Sequence, residues 1–252
     1  MKVLVTFALE NEFAPWRRMA GFKRVVVTDL DGWYEAQIGT ASVRVVVTGT
    51  GAFAAQRAMN RAFDGMPDFC VASGLAGALK PELVPRDVLV GRQVTEIKSG
   101  RSLTADTELR QLAEDMGAKP VEKFLVAERV IASVAEKQQL AAMGDAVEME
   151  GVYILAAASQ HGVRSVAIRS VSDTVDRDLP LDFERVFDDT GHISVRKVIG
   201  QVAESPARIP GLVRLAEDSA QAAKTLARFL HAFVQAVATT PWEPAKADAI
   251  AL

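Results

Sequence analysis

The chain has little that would point to a secreted, membrane-bound or nucleic-acid-binding protein. Its single cysteine, Cys70, cannot form an internal disulfide, and it lies in the apolar run 69–71, which predicts a buried core thiol. The formal net charge of -3 disfavours nucleic acid as a partner, because phosphate binding needs a basic face. No apolar stretch has membrane-spanning length, and the run after Met1 is too short for a signal peptide. We therefore expect a soluble, cytoplasmic protein with a small-molecule partner.

Short apolar runs alternate with amphipathic stretches along the 252 residues. The apolar runs predict buried strands at 3–8, 22–27, 34–38, 43–47, 69–72, 88–94, 124–127 and 163–171. The amphipathic stretches predict helices at 52–63, 106–116, 133–142, 151–161 and 212–237. This alternation predicts an α/β fold with helices on both faces of a mixed sheet.

The early strands are expected to form an antiparallel meander, because they follow one another too closely for helices to intervene. The length of the chain is typical of one α/β domain, which we assign to residues 1–238. Residues 176–210 interrupt the pattern with a proline-bracketed, turn-rich insertion. The tail 239–252, which contains two prolines, is predicted to be loose.

Two glycine-containing turns are predicted after neighbouring strands. Residues 49–54 (GTGAFA) match the G-x-G-x-x-A turn of dinucleotide-binding folds, but the next strand has its acid, Asp68, at its start and not at its end. This mismatch disfavours a dinucleotide and leaves glycines that let the backbone approach a ligand or anion. The second turn, 73–78 (SGLAGA), would line the same crevice. Close strand-to-helix packing without a ligand is the alternative for both turns.

Carboxylates follow at the ends of two later elements, in Glu148-Met149-Glu150-Gly151 and Ser172-Asp173. This spacing predicts that they point into one cleft at a sheet edge. Each residue also has a purely structural interpretation: Asp173 as a helix N-cap, Glu150 as a carboxylate at a helix N-terminus, and Met149 as a core side chain.

Five segments in order resemble the nucleoside phosphorylase and nucleosidase superfamily, and within it the 5'-methylthioadenosine/S-adenosylhomocysteine nucleosidases. They are 8–12 (ALENE, for A-M-E-x-E), 48–51 (TGTG, for S-G-x-G), 73–77 (SGLAG, for T-G-S-A-G-G), 147–150 (VEME) and 169–173 (RSVSD, for R-x-x-S-D). The resemblance implies a three-layer α/β/α fold with a strongly twisted mixed sheet. Beyond Asp173, residues 176–180 and 206–212 resemble instead the hopanoid-associated branch, thought to remove adenine from adenosylhopane.

The resemblance implies a nucleosidase that releases adenine from a 5'-modified adenosine. Asp173 would protonate the purine at N7, a role for which burial must favour its protonated form. Glu150 would bind the ribose hydroxyls, and Glu12 would orient or deprotonate the attacking water, with Glu10 as its competitor. The other implied substrate-binding residues are Glu148, Met149, Val130, Ile131, Gly51, Gly74, Leu75 and Ser172. His192, a lone histidine in a turn of the insertion, is expected to face solvent.

The nucleophile can be water or phosphate in this superfamily. Ala72 and Leu75 stand where phosphorolytic members of the bacterial type carry an Arg and a Ser, which favours hydrolysis. A phosphorylase stays open because Arg17, Arg18 and Arg169 offer another route to a phosphate site. A nucleoside-binding protein without activity also stays open, because Leu75 replaces a Ser of the nucleosidases. The resemblance implies no cofactor or metal, and a homodimer or higher homo-oligomer.

Overall fold

The computed structural model describes residues 1–25, 32–181, 183, 197, 200–201 and 204–242. His192 lies outside these residues, as do most of the insertion and the tail beyond 242. Within the described ranges, no helix is long and apolar enough to cross a membrane.

The strands and helices alternate as an α/β fold requires. The strands are β1 (Lys2–Phe7), β2 (Lys23–Arg24), β3 (Trp33–Ile38), β4 (Ala41–Val47), β5 (Phe69–Ala78), β6 (Val88–Glu96), β7 (Ser102–Thr104), β8 (Lys119–Val126), β9 (Ala146–Glu148) and β10 (Arg164–Asp173). The helices are α1 (Glu10–Ala20), α2 (Ala52–Ala62), α3 (Thr107–Asp115), α4 (Val134–Leu140), α5 (Gly151–Gln160) and α6 (Ile209–Thr239).

The strands form one mixed sheet, in the order β10-β6-β8-β9-β5-β1-β4-β3-β2, with β7 beside β6. β10 also pairs in parallel with β5, so the part of the sheet that holds β5, β9, β8, β6 and β10 closes on itself. β2, β3 and β4 form the predicted antiparallel meander. β1 lies between β4 and β5 and runs parallel to both, which brings the carboxyl ends of β1, β5 and β10 to the same edge.

Apolar side chains of the helices pack against both faces of the sheet and form two cores. One core contains residues of α1, α3 and α6, among them Trp16, Leu109 and Phe233. The other contains residues of α2 and α5, among them Met59 and Ile154. The expected mixed sheet with helices on both faces is therefore confirmed, and Cys70 is fully buried in the second core.

The predicted glycine turn at 73–78 is wrong, because β5 continues through these residues to Ala78. β10 pairs with β5 as far as Gly77, and β9 pairs with Gly77 and Ala78. Hydrogen bonds to distant strands therefore outweigh the local preference of glycine for turns.

Other elements were missed or shifted in the sequence analysis. Helix α1 follows β1 almost directly and contains Pro15. Helix α6 begins at Ile209 and not at 212, with Pro210 in the first turn, where its missing N–H costs nothing. Trp242, in the described start of the tail, packs against Phe69 at 4.8 Å between ring centroids and donates to the carbonyl of Val237 at 2.7 Å.

Candidate active site

A cavity of about 180 Å³ lies at the edge where β1, β5 and β10 end. Nine of the predicted site residues line it: Glu12, Leu75, Val130, Ile131, Glu148, Met149, Glu150, Ser172 and Asp173. Nine more lining residues were not predicted: Ala8, Leu9, Thr50, Ala76, Gly77, Arg129, Val147, Leu179 and Phe183. Gly51 and Gly74 are not among the lining residues. Each lies next to a carboxylate that lines the cavity, Gly51 next to Glu150 and Gly74 next to Glu12.

Glu12, in the first turn of α1, is buried and lines the cavity. Its Oε2 accepts from the amides of Ala8 and Leu9 at 3.2 Å each, and its Oε1 accepts from the amide of Leu75 at 3.4 Å. Burial raises the pKa of Glu12, while these amides and the charge of Arg169 oppose the shift. A Cβ on Gly74 would lie 3.3 Å from Oε2, so this glycine makes room for the carboxylate.

Glu10, the competitor of Glu12, lies elsewhere. Its carboxylate is half-exposed, forms an ion pair with Arg17 at 3.2 Å and accepts from the hydroxyl of Tyr34. Glu10 is not among the residues that line the cavity. The geometry therefore favours Glu12 as the carboxylate that contacts a ligand.

Glu150 stands at the N-cap of α5 and is buried. Its Oε1 accepts from the amide of Gly51 at 2.6 Å. Burial and the charge of Glu148 raise the pKa of Glu150 to about 8, against the opposing effect of the Gly51 amide. A Cβ on Gly51 would lie 4.0 Å from Cε of Met149, so the first glycine turn passes close to both residues.

Glu148 is bound on all sides by the protein. Its carboxylate accepts from the amides of Glu150 at 3.1 Å and Gly151 at 2.9 Å, and it forms a fully buried ion pair with Arg169. These bonds hold the turn between β9 and α5, which carries Glu150. Glu148 therefore orients the turn that carries Glu150, and its predicted role in substrate binding stays a prediction.

Asp173 ends β10 directly after an irregularity in the pairing with β5. Val171 is opposite Ala76 and Asp173 is opposite Gly77, so Ser172 is an extra residue in the ladder. Such a bulge redirects a side chain, and here it lays the carboxyl over Gly77, where an added Cβ would be 3.0 Å from Oδ2. The Ser172 hydroxyl donates to Oδ1 at 2.6 Å and also contacts the carbonyl of Ala76.

The sequence analysis did not identify Lys137, which lies on α4 and contacts the carboxyl of Asp173. Its ammonium is fully buried and donates to Oδ2 of Asp173 at 2.6 Å, to the carbonyl of Thr174 at 2.8 Å and to that of Arg177 at 3.1 Å. A buried cation is therefore in contact with Asp173, in addition to the burial that the sequence analysis expected.

Part of the cavity lining is apolar. Val130 and Ile131 precede α4, and Leu179 is bound to this segment because its amide donates to the carbonyl of Ala132 at 2.8 Å. Phe183, from the insertion, also lines the cavity. A lining that contains both apolar side chains and carboxylates fits a ligand with one apolar part and one polar part.

The charged residues among the described lining are four carboxylates and one cation: Glu12, Glu148, Glu150, Asp173 and Arg129. Arg129 forms an ion pair with Glu136. Arg17 is paired with Glu10, and Arg169 with Glu148. Asp173 is paired with Lys137, and burial raises the pKa of Glu12 and of Glu150, so a phosphate anion would meet carboxyl groups and a cation that is already paired.

A larger cavity of about 540 Å³ lies between α2 and α5, lined by residues such as Phe53, Arg57, Tyr153 and His161. None of the predicted site residues lines it, so the smaller cavity is the candidate active site. In the part of the chain that the structure describes, no group of three or more His, Cys, Asp or Glu could hold a metal ion.

The chain is similar to known proteins both in sequence and in fold. The model of the phosphorylase superfamily matches residues 32–235. A 5'-methylthioadenosine/S-adenosylhomocysteine nucleosidase from Shewanella halifaxensis is 30% identical over 159 residues, which are 53% of this chain and 68% of the relative.

Two solved structures from Helicobacter pylori have a similar fold. A futalosine hydrolase mutant aligns with a TM-score of 0.72 and 17% identity. The alignment covers 94% of this chain and 99% of the hydrolase. A 5'-methylthioadenosine/S-adenosylhomocysteine nucleosidase has a TM-score of 0.72 at 18% identity, with 94% and 98% covered.

Proposed function

This chain belongs to the phosphorylase superfamily, and on that premise we propose that it is a nucleosidase that releases adenine from a 5'-modified adenosine by hydrolysis of the N-glycosidic bond. The relatives indicate an enzyme, a hydrolase that acts on N-glycosidic bonds. The substrate of the Shewanella relative, 5'-methylthioadenosine or S-adenosylhomocysteine, is the substrate class we propose here.

The observation that carries the proposal is that Glu12, Glu150 and Asp173 line one cavity in three different environments. Glu12 is held by backbone amides, Glu150 by the Gly51 amide, and Asp173 by a serine hydroxyl and a lysine ammonium. Cleavage of a ribose–adenine bond needs three catalytic groups: an acid that protonates the leaving base, a negative charge that stabilises the cationic sugar, and a base that accepts a proton from water. Three carboxylates in distinct environments can divide these roles.

In the proposed reaction, Asp173 gives a proton to N7 of the adenine while the bond between N9 and C1' of the ribose breaks. The bonding electrons leave with the base, which departs neutral, and the sugar becomes an oxocarbenium-like cation. Glu150, whose pKa is raised to about 8, releases its proton to solvent before the bond breaks, accepts hydrogen bonds from the ribose hydroxyls, and as a carboxylate stabilises the positive charge that develops nearby. Water attacks C1' and gives its proton to Glu12.

Water is proposed as the nucleophile because the lining is rich in carboxylates and its cation, Arg129, is paired with Glu136. Leu75 adds an apolar side chain beside Glu12 and offers no hydroxyl to a phosphate. A phosphate ion in this position would face Glu12 and Glu150 without a partner of opposite charge among them.

Product analysis tests the proposal directly. The protein is incubated with 5'-methylthioadenosine, with S-adenosylhomocysteine and with futalosine, each with and without phosphate, and the base and sugar products are separated. We expect adenine and free methylthioribose from the first substrate at the same rate with and without phosphate.

Other outcomes would select an alternative. A sugar 1-phosphate that forms only with phosphate would make the protein a phosphorylase. Release of base only from substrates with a bulky apolar 5'-group, such as adenosylhopane, would move the substrate class to the hopanoid-associated branch. Tight adenine binding by calorimetry without release of base from any nucleoside would favour a nucleoside-binding protein.

A further inference from the structure

Lys137 is a buried cation that the reaction as described above does not use. It belongs to the short helix α4, and its side chain has no exposed surface. Burial of an ammonium costs several kcal/mol unless it is paired and hydrogen-bonded. Its position therefore requires a specific explanation.

All three N–H groups of the ammonium have acceptors. One acceptor is Oδ2 of Asp173 at 2.6 Å, and the other two are the carbonyls of Thr174 at 2.8 Å and Arg177 at 3.1 Å. Lys137 thus binds the carboxyl of Asp173 and the segment that follows β10 in a single cluster. The α4 end of the contact is itself fixed, since the amide of Val134 donates to Asp178 at 2.6 Å.

The two oxygens of Asp173 have different partners. Oδ1 accepts from the Ser172 hydroxyl and Oδ2 accepts from Lys137, which fixes the plane of the carboxyl over Gly77. A carboxylate oxygen has two acceptor sites, so each oxygen keeps one site for a ligand. The cavity side of Asp173 therefore stays available, while its rotation is restricted.

We propose that Lys137 is a positioning residue for the acid Asp173: its ammonium holds the carboxyl in place, Asp173 takes up a proton from solvent before the step, and the ammonium stabilises the carboxylate that re-forms when this proton passes to the leaving base. The proposal rests on the nucleosidase function proposed above. In that step the O–H bond of Asp173 breaks and an N–H bond forms at N7 of the base, so that one negative charge appears on Asp173. The ammonium is in contact with this charge and is already oriented, so no reorganisation accompanies the transfer.

The test compares Lys137→Met and Lys137→Gln with Asp173→Asn and with the double variant Lys137→Met/Asp173→Asn. Methionine keeps an unbranched apolar stem, and glutamine keeps a hydrogen-bond donor without the charge. Lys80→Met is the matched control: Lys80 donates to the carbonyl of Ala141 at the end of α4, at 2.6 Å, and does not contact Asp173. Adenine release from 5'-methylthioadenosine is measured, and urea unfolding verifies that each variant is folded.

We expect kcat to fall by roughly 10²-fold in Lys137→Met and in Lys137→Gln. KM should change by less than about 3-fold, because the interaction acts in the transition state and not in substrate binding. In the Asp173→Asn background, Lys137→Met should have no further effect on kcat, since Lys137 acts through the carboxylate. Lys80→Met should keep the wild-type kcat.

Wild-type kcat in either folded Lys137 variant would overturn the inference. It would also be overturned if the fold-loss of kcat in the double variant equalled the product of the fold-losses in the two single variants, as for independent sites. If Lys137→Met does not fold, Lys137→Gln alone decides, by the same criterion. A wild-type protein that releases no base from any nucleoside would instead overturn the proposed function, which separates the two failures.

Discussion

The amide of Gly51 donates to Oε1 of Glu150 at 2.6 Å, although the two residues are 99 positions apart in the chain. Gly51 caps α2 with a φ of 83°, in the left-handed region that favours glycine. Its N–H can therefore point at the carboxylate at the start of α5. This bond orients Glu150 in the cavity, and it links the first glycine turn of the sequence to the second carboxylate of the VEME segment.

The stability of the protein should depend on pH through Glu150. Its pKa is raised to about 8 in the folded state from an ordinary value of 4.5, so between these values the folded protein holds a proton that the unfolded chain has released. The free energy of unfolding should consequently fall as the pH rises from about 4.5 to about 8. Glu150→Gln removes this group and should weaken the dependence, leaving the contribution of Glu12, whose pKa is also raised.

Urea unfolding at about pH 5 and about pH 8 measures this dependence. Glu82→Gln, on an exposed carboxylate away from the cavity, is the control and should behave as the wild type. An equal pH dependence in wild type and Glu150→Gln would contradict the prediction.

Removal of Arg169 should strongly destabilise the fold. Arg169→Met leaves the buried carboxylate of Glu148 without its ion pair, and loss of one partner from a buried pair costs about 3–5 kcal/mol. The double variant Glu148→Gln/Arg169→Met removes both charges and should recover part of the loss. Chemical denaturation provides the free energies of unfolding.

The exposed pair of Arg92 and Glu122 is a matched control for that experiment. Both side chains are more than half exposed, at 54% and 58%. Arg92→Met should therefore cost less than about 1 kcal/mol. If Arg169→Met also lowers the free energy of unfolding by less than about 1 kcal/mol, the buried pair is not needed for stability.

The substitution Gly77→Ala should displace the carboxyl of Asp173 without unfolding the protein. The Cβ of Gly77→Ala would lie 3.0 Å from Oδ2 of Asp173 and 3.4 Å from a methyl group of Val147. Asp173 must then shift by a few tenths of an ångström, and small misplacements of this kind reduce catalysis, so we expect a loss of roughly 10-fold in kcat. Gly200→Ala, where an added Cβ has no described residue within 4 Å, is the control. Unchanged kcat in a folded Gly77→Ala variant would argue that the position of Asp173 does not limit the reaction.

Asp173→Asn should abolish most of the activity and also lower the free energy of unfolding, because it leaves the buried ammonium of Lys137 without its counter-ion. An amide keeps the shape of the side chain and cannot supply the proton, so kcat for adenine release should fall by roughly 10²–10⁴-fold. Asp115→Asn, on the exposed side of α3, should have no effect. Undiminished turnover in Asp173→Asn would remove this residue from the mechanism.

Several features of the site were predictable from local patterns. The strand preceding the first glycine turn, the start of α5 after the VEME segment and the strand that leads to Asp173 all follow from apolar runs and their ends. Five motifs in order then assigned Glu12, Glu150 and Asp173, and the structure brings all three to one cavity. Register with the family favoured Glu12 over Glu10, and the bonds of Glu10 to Arg17 and Tyr34 explain why.

Lys137 was beyond the reach of these patterns. It stands in the polar sequence Glu136-Lys137-Gln138-Gln139, which by itself indicates a solvated helix face. Its burial depends on Asp173 and Arg177, which are 36 and 40 residues further along the chain. The continuation of β5 through Gly74 and Gly77 was missed for the same reason, since it depends on pairing with β9 and β10.

The sequence by itself determined the alternation of strands and helices and the types of chemical group that the chain carries, because hydrophobic periodicity and motif spacing are local properties. The tertiary structure alone decided which carboxylates share a cavity, which are held by amides, and which one contacts a buried ammonium. Those outcomes depend on desolvation and on hydrogen bonds between segments far apart in the chain, and neither can be evaluated until the strands are paired and the cavity is closed.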